Sequence, residues 1–319
     1  MARIPAAVAA VRLAVRRALP PDGGPVLVAC SGGADSLALA AAARFVGSAV
    51  GLVTVDHGLQ PGSDTRAADV AQWARDEGFA PVFVETVSVA GLPGGPEAAA
   101  RSARYAALAA AAERAGARAV LLGHTRDDQA ETVLLALARG AGPRGLAGMP
   151  ARKGVFVRPL LDVSRAETRE ACAALKLVPW EDPHNIDPAY ARSRVRGSAM
   201  PALVAALGPA VVANLARSAG QIAADNAVLE ELALAALERA SRDDDALDVS
   251  DLSAMADAIR RRVLHLWCRR LGAGGADLSH RHVVALDALI TQWHGQGPVH
   301  LPGGIRVARR QGALVRVPR

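Results

Sequence analysis

From residue 25 onward the chain alternates short apolar runs with stretches of helical period. Residues 25–29, 50–56, 82–87 and 119–123 are apolar runs of strand length. Residues 35–45, 64–78, 97–116 and 127–139 follow these runs with amphipathic, helix-forming sequence. Strand–helix alternation of this kind predicts βαβ units and a parallel sheet with helices on both faces. In such sheets ligands sit at the carboxyl ends of strands. Functional residues are therefore expected just after residues 29, 56 and 123.

The pattern changes further along. A glycine-rich turn at 140–148, expected to be a mobile loop, precedes a short strand ending at Pro159 and a polar, irregular stretch around 180–196. A long Ala/Leu helix is predicted over about 209–240, then an acidic break at 242–245. A helical pair (253–271 and 279–294) and hairpin-like strands within 297–317 complete the chain. The expected organisation is an α/β catalytic domain over 1–215, a linker helix over 216–240, and a small α+β domain over 241–319.

At 319 residues the chain has room for about two domains at roughly 150 residues each. Hydrophobic residues make up 51% but aromatics only 3%, so Ala, Val and Leu must build the core. The apolar stretch 199–213 is broken by Pro201 and Pro209 and is too short to span a bilayer. Residues 4–11 resemble a signal h-region, yet Arg12, Arg16 and Arg17 stand where a cleavage site belongs. A soluble, cytoplasmic protein without a membrane partner is expected. Cys30, Cys172 and Cys268 are far apart and form no CxxC pair, which argues against a disulfide framework, structural zinc or an iron–sulfur cluster. The net charge of +6 is compatible with a polyanionic partner, although Arg enrichment also follows from a GC-rich genome.

The strongest local signal is Ser31-Gly32-Gly33-Ala34-Asp35-Ser36, after the first strand and before a helix. Two glycines allow a tight turn with close backbone approach, and the helix N-terminus offers unpaired N–H donors to a phosphate. Asp35 repels phosphate by itself and is better suited to Mg²⁺. No lysine follows a glycine as a Walker A loop requires. A variant nucleophile elbow with Ser31 as nucleophile, and His124 or a later histidine as base, is the alternative from another class. The GxGxxG spacing of Gly140, Gly142 and Gly145 follows a helix instead of a strand, so a dinucleotide reading fails. At the next strand end, His124 precedes Asp127, Asp128 and Glu131. Asp127 and Glu131 share a helix face, giving acid/base or amine-binding chemistry beside a phosphate-stabilising histidine. Glu97, Arg101 and Arg104, followed by Tyr105, read either as a surface ion-pair ladder or as an arginine face over phosphate. His280 and His282 read as solvated or capping residues.

These motifs occur in order with VDHGL at 55–59, ARSARY at 100–105, RGAGPRGLAGM at 139–149, RPLL at 158–161 and a W-E-D-P-x-N segment at 180–185. The ordered set resembles the PP-loop (N-type) ATP pyrophosphatase superfamily and, within it, the tRNA(Ile)-lysidine synthetases. The resemblance implies a Rossmann-like PP-loop fold. It also implies ATP-driven ligation of L-lysine to the wobble cytidine of tRNA(Ile) with a CAU anticodon, releasing AMP and pyrophosphate. It assigns ATP to Ser31, Gly32, Gly33, Ala34, Asp35 and Ser36, with Mg²⁺ on Asp35. Catalytic roles fall on Asp35, Arg101, Arg104, His124, Asp127, Asp128 and Glu131. RNA contacts fall on Arg192, Arg194 and Arg196, while Ser193 and His184 depart from the family pattern. Arg309 and Arg310, on an Arg-rich hairpin with no acid after Asp287, are further RNA-contact candidates. A homodimer is compatible with this reading, and another tRNA-modifying PP-loop enzyme, such as a thiolase, is the nearest alternative.

Overall fold

Strand β1 (Val26–Ala29) lies inside a six-stranded sheet and pairs in parallel with β2 (Val50–Asp56) and β4 (Ala119–Leu122). β3 (Val82–Thr86) extends the sheet beyond β2, while β6 (Phe156–Val157) and its antiparallel partner β5 (Arg152–Lys153) extend it beyond β4. The order is β3-β2-β1-β4-β6-β5. The computed structural model describes residues 4–56, 58, 62–87, 96–182, 187, 189–274 and 277–318, with backbone alone at 96–98. Two units divide the chain, Met1–Ala223 and Ala224–Arg319.

The strands are apolar throughout because both faces are covered. Val28, Leu52 and Leu121 pack with alanines and valines of α1 (Ala6–Ala18), α2 (Ala34–Val46) and α7 (Arg165–Ala174). Their neighbours Leu27, Val53 and Val120 face Leu108, Ala111 and Ala112 of α4 (Pro96–Arg114). Alanine on the helices allows this close approach with few aromatics. Because the chain runs to β2 on one side of β1 and to β4 on the other, the carboxyl ends of β1 and β4 border a crevice. Two glycines shape it. Gly32 has φ +84°, a conformation in which a side chain is strained. A Cβ on Gly123 would lie 3.1 Å from the Ser36 nitrogen, so β4 ends directly against the 31–36 turn.

Around the crevice stand α3 (Ser63–Asp76), α5 (Arg126–Ala138), α7 and α8 (Ala191–Arg194). α8 continues through a π-helical turn, Val195–Ala199, into α9 (Met200–Leu207). Helix α7 stands where no element is expected, because its buried face, Thr168, Ala171 and Cys172, carries no large apolar residue. Its start carries a local signal nonetheless: Ser164 and Glu167 close a capping box, with the Glu167 carboxylate accepting from the Ser164 N–H at 2.8 Å. The expected loop at 140–148 contains one helical turn, α6 (Pro143–Leu146). Beyond it the Gln129 amide accepts from the Met149 N–H (2.7 Å) and donates to its carbonyl (3.1 Å). The irregular stretch ends at Ala191, where α8 begins.

The division between units falls inside α10 (Ala210–Ala240), so the expected 216–240 linker is not separate. Ala233, Ala236, Leu237 and Ala240 belong to the core of the second unit. There the acidic break is a hairpin of β7 (Ser241–Asp243) and β8 (Ala246–Asp248), in a sheet ordered β7-β8-β11-β10-β9. The other strands are β9 (Val299–Leu301), β10 (Ile305–Arg310) and β11 (Ala313–Val317). The helix expected over 253–271 is two, α11 (Val249–Ala254) and α12 (Asp257–Arg270), packed with α13 (His280–Thr291) around the fully buried Trp267. Asp248 caps α11, which starts the helix earlier than the apolar pattern indicates. No single helix among the described residues is long and apolar enough to cross a membrane.

One buried ion pair joins α12 to α13: Asp287 accepts from Arg260 at 2.6 Å and from Arg261 at 3.2 Å. Asp287→Ala strands the buried Arg260 charge and is expected to destabilise the second unit by about 3–5 kcal/mol. Asp257→Ala, at the exposed end of the same network, should cost under about 1 kcal/mol. Urea denaturation checks both, and equal costs would contradict the burial argument.

Candidate active site

A cavity of about 450 Å³ opens at the carboxyl ends of β1, β2 and β4. The 31–36 turn forms its floor. Ser36 closes the turn, donating its hydroxyl to the Gly33 carbonyl (2.9 Å) and accepting the Ser31 N–H (3.2 Å). Gly33 begins α2 without a side-chain cap, so the first-turn N–H groups remain available beside the cavity. Trp180 closes one side. Its backbone N–H donates to the Gly32 carbonyl at 2.9 Å, and the Arg66 guanidinium of α3 lies 3.4 Å from its ring centre.

Asp35 stands on the cavity wall in the first turn of α2. It accepts a hydrogen bond from the Thr168 hydroxyl, and its second oxygen is 3.9 Å from the Arg165 guanidinium. Burial raises its pKa to about 6; Thr168 opposes the shift, Asp128 adds to it, and Arg165 and Arg196 oppose it.

Beside Asp35, sharing Arg165, stands a cluster of carboxylates and arginines. Thr125 caps α5, and the Asp128 carboxylate accepts its N–H (2.8 Å) and hydroxyl (2.9 Å). The other Asp128 oxygen accepts from Arg165 (3.0 Å) and Arg196 (3.2 Å). Glu131, with a side chain 2% exposed, accepts from Arg165 at 3.1 Å and from Arg196 at 2.8 and 3.1 Å, with Arg192 3.5 Å away. Asp127 accepts the Arg165 backbone N–H at 2.8 Å. Burial disfavours the Asp128 carboxylate, but Arg165 and the Thr125 N–H outweigh it and hold the carboxyl below its ordinary range. Arg192 and Arg196 lie four apart across the start of the π-helical turn and reach the same cluster.

His124 stands two residues past the end of β4, within this positive field. Burial pushes its pKa down to about 3; Asp128 opposes this, while Arg104, Arg158 and Arg192 add to it. The imidazole is therefore neutral at pH 7, with its Nδ1 buried and, among the described residues, without a hydrogen-bond partner. Arg104 lines the cavity, whereas Arg101 is exposed and donates to the Tyr105 hydroxyl at 3.4 Å. Arg158 holds the same hydroxyl at 3.1 Å.

The structure thus gathers Ser31, Gly33, Ala34, Asp35, Ser36, Arg104, His124, Asp128, Arg192 and Arg196 on one cavity. Gly32 underlies it, and Asp127 and Glu131 lie behind the wall. Arg194 is exposed and donates to the Ala189 carbonyl at 3.0 Å. Ser31 pairs with the Ser36 hydroxyl at 3.4 Å and, among the described residues, with no imidazole, so the elbow alternative lacks its base. In the second unit Arg309 donates to the Leu289 (3.0 Å) and Ile290 (3.4 Å) carbonyls and lies over Trp293, while Arg310 is exposed. His282 caps α13 with Ser279. The Glu97 side chain, His57, His184, and residues 183–185 of the W-E-D-P-x-N segment lie outside the described residues. Arg165 and Thr168 were missed with α7, and only the Ser164–Glu167 capping signal marks them in the sequence. Glu131→Ala should destabilise the first unit by about 3–5 kcal/mol, because it leaves guanidiniums facing a partnerless site. Removing the exposed Arg169–Glu181 pair should cost under about 1 kcal/mol. Thermal and urea unfolding check both values.

Residues 11–203 match the PP-loop domain family, and residues 247–315 match the TilS substrate binding domain. The tRNA(Ile)-lysidine synthase of Salinispora tropica is 63% identical over 99% of this chain and 98% of its own. That of Thermobifida fusca is 52% identical over 98% of each. Among solved structures, the U34-tRNA thiolase NcsA of Methanococcus maripaludis matches 68% of this chain and 80% of its own with a TM-score of 0.55. Its 18% identity makes it a likeness of fold. With a PP-loop domain over more than half its length and relatives this similar from end to end, the chain belongs to the tRNA(Ile)-lysidine synthase family.

Proposed function

We propose that the protein uses ATP to attach L-lysine to C2 of the wobble cytidine in a tRNA(Ile) with a CAU anticodon. The observation that carries this is the convergence of an uncapped helix N-terminus, a half-buried Asp35 and three cavity-lining arginines (Arg104, Arg192 and Arg196) on one crevice. In the first step the cytidine O2 attacks the ATP α-phosphorus, and the bond to pyrophosphate breaks. In the second the lysine amine attacks C2, the C–O bond to AMP breaks, and the amine loses a proton. The 31–36 turn holds the departing pyrophosphate. Arg104, Arg192 and Arg196 stabilise charge on the α-phosphate. His124, neutral before ligands arrive, offers a hydrogen bond or takes a proton. Asp128 and Glu131 hold the arginines, which leaves Asp127, bonded among the described residues only to the Arg165 backbone N–H, as the acid for the lysine ammonium or its proton. ATP, lysine and tRNA meet in the cytoplasm, which fits that location.

Among the described residues no three metal-binding side chains gather. One carboxylate, Asp35, beside a phosphate site is the donor set that suits Mg²⁺ shared with a nucleotide. Bound there, Mg²⁺ neutralises charge on the phosphates. In the second unit, exposed Arg310 is suited to an RNA phosphate, whereas Arg309 serves the end of α13. Thiolation is less well supported: Cys30, Cys172 and Cys268 are buried, and burial raises the Cys172 thiol to about 11 and that of Cys268 to about 12.

Incubation with ATP, labelled lysine and total tRNA should give a lysine-bearing cytidine on digestion, with AMP and pyrophosphate released. ADP as main product, or label transferred without tRNA, would contradict the proposal. A pH prediction follows from Asp35. As pH falls through about 6 the carboxylate takes up a proton that competes with the cation. The Mg²⁺ concentration for half-maximal rate should be constant well above that pH and rise roughly tenfold per unit below it. Asp35→Asn should remove this dependence and lower kcat/KM by about 100-fold or more.

A further inference from the structure

Thr168 is fully buried on α7, and its hydroxyl meets two acceptors, the Asp35 carboxylate and the Arg165 carbonyl at 2.9 Å. A hydroxyl has one proton and serves one acceptor at a time. A threonine in a helix commonly bonds a carbonyl of the preceding turn, so Thr168 is satisfied without Asp35. Asp35 is the partner in need. Among the described residues the Thr168 hydroxyl is the one hydrogen bond its carboxylate accepts, since the Arg165 guanidinium stands 3.9 Å off. One turn along the same helix, the Cys172 thiol donates to the Ala34 carbonyl at 3.3 Å. Successive turns of α7 therefore support successive residues of the 31–36 turn, and the Ser164–Glu167 capping box fixes where α7 begins.

We propose that Thr168 is a positioning residue for Asp35, holding its carboxylate in the orientation that receives the nucleotide's cation. The proposal rests on the assignment of Mg²⁺ to Asp35 made above. The hydrogen bond engages one carboxylate oxygen and leaves the second, 3.9 Å from the Arg165 guanidinium, for the cation, so it persists when the cation binds. Valine has the same shape without the donor. Alanine also lacks it without adding a methyl, and serine keeps it.

The test is the Mg²⁺ dependence of binding of α,β-methylene ATP, which cannot release pyrophosphate, followed by calorimetry on the full chain. Loss of a residue that orients a metal ligand typically costs about 10–100-fold in metal affinity. Thr168→Val and Thr168→Ala should raise the half-saturating Mg²⁺ concentration by that factor. Thr168→Ser should stay near the parent, and binding without Mg²⁺ should be alike in all. In turnover assays the loss should appear in the Mg²⁺ requirement more than in kcat at saturation. A merely structural Thr168 would lower the melting temperature and leave the Mg²⁺ midpoint in place, which would overturn the proposal. If Asp35→Asn also keeps the parent's midpoint, the cation is not on Asp35, and the underlying assignment falls with the proposal.

Discussion

Two carboxylates one turn apart on α5, Asp128 and Glu131, are buried among guanidiniums from α7 and from the helix that begins at Ala191. Neither set of charges tolerates burial without the other, because an unpaired ion in a low-dielectric interior costs several kcal/mol. The start of α5 therefore fixes where Arg165, Arg192 and Arg196 go, although these lie 34 to 68 residues further along the chain. Arginine suits the role because its planar fork reaches two carboxylates at once. Lysine presents only a compact point charge. The gain lies in geometry: the same guanidiniums that satisfy Glu131 also line the cavity proposed for the nucleotide.

The cavity divides its work between backbone and side chains. The 31–36 turn offers N–H groups set by Gly32 and closed by Ser36, whereas the arginine wall offers fixed positive charge. Such preorganised donors act most strongly where water is scarce. The concentration of guanidiniums also accounts for His124. With Arg104, Arg158 and Arg192 nearby, and the ring buried, the imidazole has no need of a proton until a polyanion arrives.

Much of this was legible in the sequence. Apolar runs with glycine-rich ends located β1, β2 and β4, and the 31–36 and 124–131 segments stand at the predicted crevice. What was not legible has physical reasons. Helix α7 is ten residues long and its buried face, Thr168, Ala171 and Cys172, carries no large apolar residue, so no apolar run marks it or its two site residues, Arg165 and Thr168. Arg101 and Arg104 are equivalent by spacing, yet only packing decides that Arg104 faces the cavity. Arg309 reads as a surface cation because nothing local reveals that the α13 carbonyls lie within its reach. The 216–240 stretch reads as a linker because nothing local reveals that its last turns, from Ala233 on, belong to the core of the second unit.

The central claim is that the buried acids hold the arginines in place for the nucleotide. A double-mutant cycle on affinity for α,β-methylene ATP, using Glu131→Gln and Arg196→Met, tests this most directly. If Glu131 acts through Arg196, each change weakens binding alone, and the effect of Glu131→Gln largely vanishes once Arg196 is gone. The coupling energy would then be about 0.5–3 kcal/mol. Strict additivity of the two losses would contradict the account.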